Sequence, residues 1–228
     1  MGSSGKMAVD LYHALWSPPS RAVRMIGRAV GVRFNLITCE PIQGDHLKPD
    51  FLKMNPMHTI PTINDNGFVL WESRAIGQYL VSKYAPQSTL IPTDLQQKAL
   101  YDQRLFFDYA MLQNFSKTMR RIFVGGTRFE PKDIKQCRTS LQLLDQFLSQ
   151  STYVAGERIT LVDYTAAASV ITCQPEMVDL STYPHVQRWL ARVRTEIDGF
   201  EEINGPGVEM IGNVIGAVLS SDGDSSKL

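Results

Sequence analysis

Hydrophobic and polar positions follow two different rhythms along the chain. Up to about residue 85 the pattern switches quickly between short β-like runs and helical ones. Val9 to His13 predicts a strand. Ser17-Pro18-Pro19 then opens a helix with Val23, Ile26, Ala29 and Val30 on one side and Arg21, Arg24 and Arg28 on another. The two prolines suit a first turn, which needs no N–H groups, and Gly31 ends the helix. Phe34 to Thr38 predicts a second strand. Thr62 to Asn64 and Phe68 to Trp71 predict a hairpin around Asp65-Asn66-Gly67. A helix follows from Glu72 to Tyr84, with Ile76, Tyr79, Leu80 and Tyr84 at helical spacing.

Beyond Ala85-Pro86-Gln87-Ser88, which reads as a linker, strand patterns disappear. Gln96 to Phe123, Pro131 to Ser149, Leu161 to Thr172 and Tyr183 to Glu196 read as helices. A weaker stretch runs from about Glu201 to Ile215, and Gly205-Pro206-Gly207 predicts a break before the last helix. Thr160-Leu161-Val162-Asp163 has the form of a capping box: the Thr hydroxyl accepts from the Asp163 backbone while the carboxylate reaches back. The expected organisation is an α/β domain over residues 7–85 and an all-helical domain over 92–216. Met1-Gly2-Ser3-Ser4-Gly5-Lys6 reads as an expression remnant before a start at Met7, and 220–228 as a flexible tail.

Composition narrows the function. A hydrophobic share of 43% suffices for a core, and 23 basic against 23 acidic residues leave no net field to gather phosphates. Nucleic-acid and membrane-surface partners are therefore not expected. Residues 1–85 carry nine Lys and Arg against six Asp and Glu, whereas the remainder carries 14 against 17. No apolar run reaches the roughly 18–20 residues of a membrane span. Cys39, Cys137 and Cys173 are widely spaced, with no Cys-x-x-Cys, so no zinc site or dithiol pair is encoded locally, and a reducing compartment is expected.

Three junctions could carry chemistry. In Asn55-Pro56-Met57-His58-Thr59-Ile60-Pro61-Thr62, a proline directly before a strand fits a turn and a cis bond. Such a turn would turn the Ile60 backbone groups toward a ligand; an ordinary loop proline is the simpler alternative. At Trp71-Glu72-Ser73-Arg74 a strand gives way to a helix whose free N–H groups suit a carboxylate, with Glu72 available to an ammonium. A plain Ser cap is the competing account. Ser17, at the other strand-to-helix junction, is either an N-cap or a hydroxyl donor to an anion on the helix end.

These segments together resemble a known family. Ser17-Pro18-Pro19-Ser20-Arg21, Gly44-Asp45-His46-Leu47-Lys48-Pro49, the 55–62 segment and Trp71-Glu72-Ser73-Arg74-Ala75-Ile76 are similar to the cytosolic glutathione transferases, the insect delta and epsilon classes in particular. Gln103-Arg104-Leu105-Phe106-Phe107-Asp108, Ala155-Gly156 and Thr160-Leu161-Val162-Asp163 extend the likeness, more loosely, over about residues 9–200. The resemblance implies an N-terminal thioredoxin-like domain of β-α-β-β-β-α type followed by a helical bundle, working as a homodimer in the cytoplasm. It implies glutathione as co-substrate, with no permanently bound cofactor or metal.

Residue by residue, it implies that the Ser17 hydroxyl hydrogen-bonds the glutathione sulfur. His46 and His58 would contact the glycyl end, the Ile60 backbone would pair with the cysteinyl part ahead of a cis Pro61, and Thr59 and Pro61 count among the glutathione-binding residues. Glu72 and Ser73 would hold the γ-glutamyl group, with Arg74 alongside. A hydrophobic electrophile would lie between Pro18 and the stripe Met111, Phe115, Met119 and Phe123, which recurs every four residues and equally fits a plain helical core. Lys117, Arg120 and Arg121 nearby read as a solvated face or as help for an anionic ligand. Ser20 stands where many delta-class chains carry Cys, and Gln113 and Arg121 stand where rings are expected. That thinner wall keeps a second reading open, a non-enzymatic carrier on the same fold. Ser226-Lys227-Leu228 has the form of a peroxisomal address, against the cytosolic placement that the resemblance implies.

Overall fold

The computed structural model describes residues 8–127, 129–173 and 176–221. The proposed remnant 1–6 and the terminal Ser226-Lys227-Leu228 lie outside them. Strand β1 (Val9–His13) leads into helix α1 (Pro18–Ala29), then β2 (Phe34–Thr38), α2 (Pro49–Met54), β3 (Thr62–Asp65), β4 (Phe68–Trp71) and α3 (Ser73–Tyr84). The four strands form one sheet in the order β2-β1-β3-β4. β1 runs parallel to β2 and antiparallel to β3, and β3 runs antiparallel to β4. Val9 and Leu11 point into the core with α1 and α3, while Tyr12 on the other face meets Phe51 of α2 edge-on at 5.7 Å. This is the thioredoxin-like arrangement. Helix α2 was not foreseen: it is six residues long and buries only Phe51, too little for a period to show.

The second unit is helical: α4 (Leu95–Phe123), α5 (Pro131–Leu148), α6 (Leu161–Val170), α7 (Pro184–Glu196) and α8 (Phe200–Ser221). Every residue of α6 is buried, and α6 packs on both α1 and α4, tying the two units together. The expected capping box is present: the Thr160 side chain accepts from the Asp163 backbone N–H, and the Asp163 carboxylate accepts from Thr160 N at 2.8 Å and from the Thr160 hydroxyl at 3.1 Å. Asp163 also accepts from Val154 N and from the indole of Trp189. Burial therefore pushes this carboxyl up, against four donors that favour its charged form. Cys39, Cys137 and Cys173 are buried free thiols.

The break expected at Gly205-Pro206-Gly207 is absent, and α8 runs through it. Pro206 lies on the exposed side, where the carbonyl it leaves unpaired can reach water. Gly207 lies against the β1–α1 loop, where a Cβ would fall 2.1 Å from the Leu15 carbonyl oxygen. The glycine is there for close packing, not for a turn.

The β3–β4 hairpin is fastened to α3 through one carboxylate. Asp65 Oδ2 accepts from Tyr79 at 2.8 Å, Lys83 at 2.7 Å and Tyr84 at 2.7 Å, and Oδ1 accepts from Asn66. Burial raises its pKa, but Lys83, Tyr84, Tyr79 and Asn66 outweigh that and hold it down to about 2. A carboxylate depressed in the folded state stabilises above its unfolded pKa and loses that effect as pH falls through the folded one. With Lys83 partly in solvent, the expected contribution is about 1–2 kcal/mol, lost between about pH 4 and pH 2. Asp65→Asn should flatten the acid limb of a stability-against-pH curve measured by urea denaturation.

Candidate functional site

The register of the sheet brings the predicted site residues to one end. Tyr12 pairs with Thr62, and Thr62 with Trp71. The exit from β1 toward Ser17, the entry to β3 after Ile60-Pro61 and the exit from β4 into Glu72-Ser73 therefore lie side by side. β2 ends at the same level, His13 against Thr38, and leads to Glu40 and the turn carrying His46.

Ser17 caps α1 and is buried, with its Oγ accepting from Ser20 N at 3.4 Å. That bond is at the outer limit of a hydrogen bond. The hydroxyl proton has no acceptor among the described residues. Pro18 and Pro19 occupy the first two helical positions, so the N–H groups that usually crowd a helix start do not exist here. An anion at this junction would meet the positive end of the helix and one uncommitted O–H donor.

The 55–62 loop is organised by Asn55, which is fully buried. Its amide donates to the Thr59 carbonyl at 3.0 Å and to Thr62 Oγ1 at 2.9 Å, and its Oδ1 accepts from Met57 N at 2.9 Å. The Ile60–Pro61 peptide is cis. Among the described residues nothing bonds the Ile60 N–H or carbonyl. His58 and Thr59 are exposed, and His58 has φ 45°. Its ring lies 5.8 Å from that of His46, whose pKa burial lowers first and His58 second.

Glu72 is exposed, with φ 67°, a conformation that side chains other than glycine seldom adopt. It starts α3 without capping it through its side chain, so the N–H groups of Ser73 and the residues after it stay open. Ser73 is buried and its Oγ accepts from Arg74 Nη1 at 3.0 Å. Arg74 reaches away from this opening. Its Nε and Nη2 both bond Asp108 Oδ2 on α4, at 2.9 and 2.6 Å. Asp108 is fully buried and its Oδ1 has no hydrogen-bond partner among the described residues. Burial pushes its carboxyl up, while the Arg74 guanidinium and the neighbouring Thr165 hydroxyl pull it back. Arg74 is thus a link between the two units, not a group facing the opening.

The family model described as the glutathione S-transferase N-terminal domain matches residues 11–88, and that of the C-terminal domain matches residues 107–196. The chain belongs to the glutathione S-transferase family. It is 40% identical over 196 residues to glutathione S-transferase D7 of Drosophila melanogaster, across 85% of this chain and 88% of that one. A delta-class glutathione transferase from Nilaparvata lugens superposes with a TM-score of 0.86 at 38% identity, covering 92% of this chain and 99% of its own. An epsilon-class enzyme from Musca domestica gives 0.84 at 30% identity, over 92% and 98%. The chain is accordingly a transferase with insect delta- and epsilon-class relatives, and glutathione is its co-substrate.

On the transferase's helical side the stripe divides. Met111 and Phe115 are 0% and 2% exposed and belong to the central core, and Met119 is 8% exposed. Only Phe123, at the end of α4, keeps open surface. The long helix packs against α5 and α6, and the repeat from Met111 to Met119 is buried, so it faces protein. Phe123 stacks on Trp16, with ring centroids 5.1 Å apart and planes 20° from parallel. The Trp16 indole N–H donates to Glu40 at 2.9 Å, and the Glu40 backbone N–H donates to Asp45. Nothing periodic marks Trp16; its position directly before Ser17 is the signal that could have found it. Lys117 and Arg121 both pair with the buried Asp133 of α5, at 2.9 and 2.8 Å, and so are engaged within the bundle. No helix of the described residues is long and apolar enough to cross a membrane.

Proposed function

We propose that this transferase stabilises the glutathione thiolate through the Ser17 hydroxyl and conjugates it to hydrophobic electrophiles. What carries the reading is the Ser17 hydroxyl itself: buried, weakly engaged and with its proton uncommitted, at a helix start stripped of N–H donors by Pro18 and Pro19. A free cysteine thiol has a pKa of about 8.5, and only the thiolate attacks. Lowering that value by two units takes about 2.7 kcal/mol in favour of the anion. A charge-assisted bond from the hydroxyl supplies ~1.5–3 kcal/mol, and the helix end about 0.3–1 kcal/mol more. The hydroxyl is needed; the dipole alone falls short.

In this reading the thiol proton passes to solvent as glutathione binds, and the Ser17 O–H donates to the sulfur anion. The sulfur then forms a bond to carbon while the leaving group departs with its electron pair. Ile60 offers its free backbone groups to the cysteinyl part, with Thr59 and Pro61 shaping that wall. The open N-terminus of α3 and Ser73 take the γ-glutamyl carboxylate, and Glu72 its ammonium. His46 and His58 face the glycyl end. Arg74 holds Ser73 in place from behind.

The electrophile would enter between Pro18, Trp16 and Phe123. Trp16→Ala should open this wall. The expected result is a several-fold gain in kcat/KM for bulky electrophiles with little change in KM for glutathione; equal rates across a size series of aryl halides would argue against it. The reading includes placement in the cytoplasm and a homodimer, and the homodimer is supported by Leu95, Phe106 and Tyr109, which share one exposed face of α4. The overall test is conjugation of glutathione to 1-chloro-2,4-dinitrobenzene from pH 5.5 to pH 8. Glutathione binding without turnover would overturn the reading.

A further inference from the structure

One row of side chains on α4 runs along the glutathione opening. Tyr109, Gln113, Ser116, Arg120 and Phe123 follow one another at alternating spacings of four and three residues, so they share one side of the helix. Both ends of the row reach the opening. The Arg74 guanidinium, which is bonded to Ser73, lies 6.0 Å from the Tyr109 ring centre. Phe123 stacks on Trp16, the residue directly before Ser17, at 5.1 Å. Gln113, Ser116 and Arg120 therefore occupy the helical wall between the two serines, and all three are exposed. The buried Met111, Phe115 and Met119 turn to the core instead.

This wall carries an uncommitted cation. Of the three basic residues in the last two turns of α4, Lys117 and Arg121 are taken by the buried Asp133 of α5, at 2.9 and 2.8 Å. The Arg120 guanidinium makes no hydrogen bond or ion pair among the described residues. Glu40, the carboxylate beside Trp16, accepts the indole N–H at 2.9 Å and nothing from Arg120. Arg120 sits three residues before Phe123, a rise of about 4.5 Å along the axis. A ring lying against Trp16 and Phe123 would have this charge at its edge. A basic residue in a last turn is otherwise explained by the negative end of the helix. That account predicts an effect on stability and none on the choice of substrate.

We propose that Arg120 determines specificity, selecting electrophiles whose apolar body carries a carboxylate. The body lies against Trp16 and Phe123, and the carboxylate accepts from the Arg120 guanidinium, a charge-assisted and directional bond. Ser116 and Gln113, one and two turns back, are further donors to the same group. A wholly apolar electrophile would use the two rings and gain nothing from the rest of the wall. The inference rests on the Ser17 reading for the reaction itself and adds the class of electrophile. The bond changes are the same: sulfur bonds to the electrophilic carbon, and the leaving group departs with its electron pair.

The test compares 4-chloro-3-nitrobenzoate with 4-chloro-3-nitrobenzamide, each rate divided by that of glutathione alone at the same pH. The corrected kcat/KM should favour the carboxylate. Arg120→Gln should cut that preference about threefold to fivefold, the scale of an exposed ion pair, and Arg120→Glu should reverse it. Raising the salt from about 0.02 M to about 0.5 M should erode the preference in the unsubstituted protein and leave Arg120→Gln unmoved. The proposal is overturned if the unsubstituted protein shows no preference, or if Arg120→Gln keeps it and only melts lower, as the helix-end account requires. Should neither probe nor 1-chloro-2,4-dinitrobenzene be conjugated, the Ser17 reading is at fault, and calorimetry with the preformed products decides the role of Arg120. S-(4-carboxy-2-nitrophenyl)glutathione should then bind more tightly than its carboxamide, with the difference lost in Arg120→Gln. Equal affinities, or no binding of either, would overturn the proposal.

Discussion

Ser17→Ala should lose about tenfold to a hundredfold in kcat/KM at pH 6.5, and the loss should shrink steadily toward pH 9. The direction follows from what the hydroxyl does. If its donated bond lowers the sulfur's pKa by one to two units, removing it returns the thiol toward about 8.5 and leaves only a few per cent as thiolate near neutrality. Above the free thiol's pKa the anion forms unaided, and the two proteins converge. A more basic thiolate is also a better nucleophile, which offsets part of the loss. The limiting pKa of the rate profile must therefore move up with the substitution. Ser17→Thr keeps the donor and should restore most of the rate. The competing account, a plain helix cap, makes a different forecast. A cap is worth about 1 kcal/mol of stability, and the 3.4 Å separation from Ser20 N makes this one weak. On that account the variant would melt slightly lower with its pH profile unmoved.

Much of this site was legible because local rules and global fold agree there. Pro18-Pro19 after a strand, Asp65-Asn66-Gly67 between two short β runs, and a Ser at each strand-to-helix junction have few other interpretations, and the structure puts a helix start, a hairpin and two junctions where they fall. Other features needed tertiary context. The repeat of Met111, Phe115, Met119 and Phe123 has the same period whether it faces a cleft or a core, and only the cover of α5 and α6 decides that its middle is core. Gly205-Pro206-Gly207 carries the composition of a turn, yet Gly207 answers to the Leu15 carbonyl more than 190 residues earlier in the chain. Trp16 gains meaning only from Phe123 and Glu40, which no spacing brings near it. Arg74 lies within the motif, but its direction is set by Asp108 on another helix.

That last pairing carries the largest expected effect on stability. Arg74→Ala should destabilise the protein by about 3–5 kcal/mol, because breaking a buried pair from one side leaves the other charge uncompensated. In a chain of this size such a loss lowers Tm by roughly 6–20 °C. The pH dependence distinguishes this from simple loss of packing. Without the guanidinium, burial drives the Asp108 carboxyl further up in the folded state while its unfolded value stays ordinary. For an acid so shifted, stability is lost as pH rises above the unfolded pKa, so the variant should be hurt more at pH 8 than at pH 5. Removing both partners, as Arg74→Met with Asp108→Leu, should cost less than Arg74→Ala alone, since no buried charge remains. The double variant also separates stability from function. Arg74 Nη1 donates to Ser73 Oγ at 3.0 Å and so fixes the hydroxyl at the open end of α3. With that donor gone and the fold retained, KM for glutathione should rise several-fold while kcat falls little. An unchanged KM would mean that Ser73 needs no help to face its ligand.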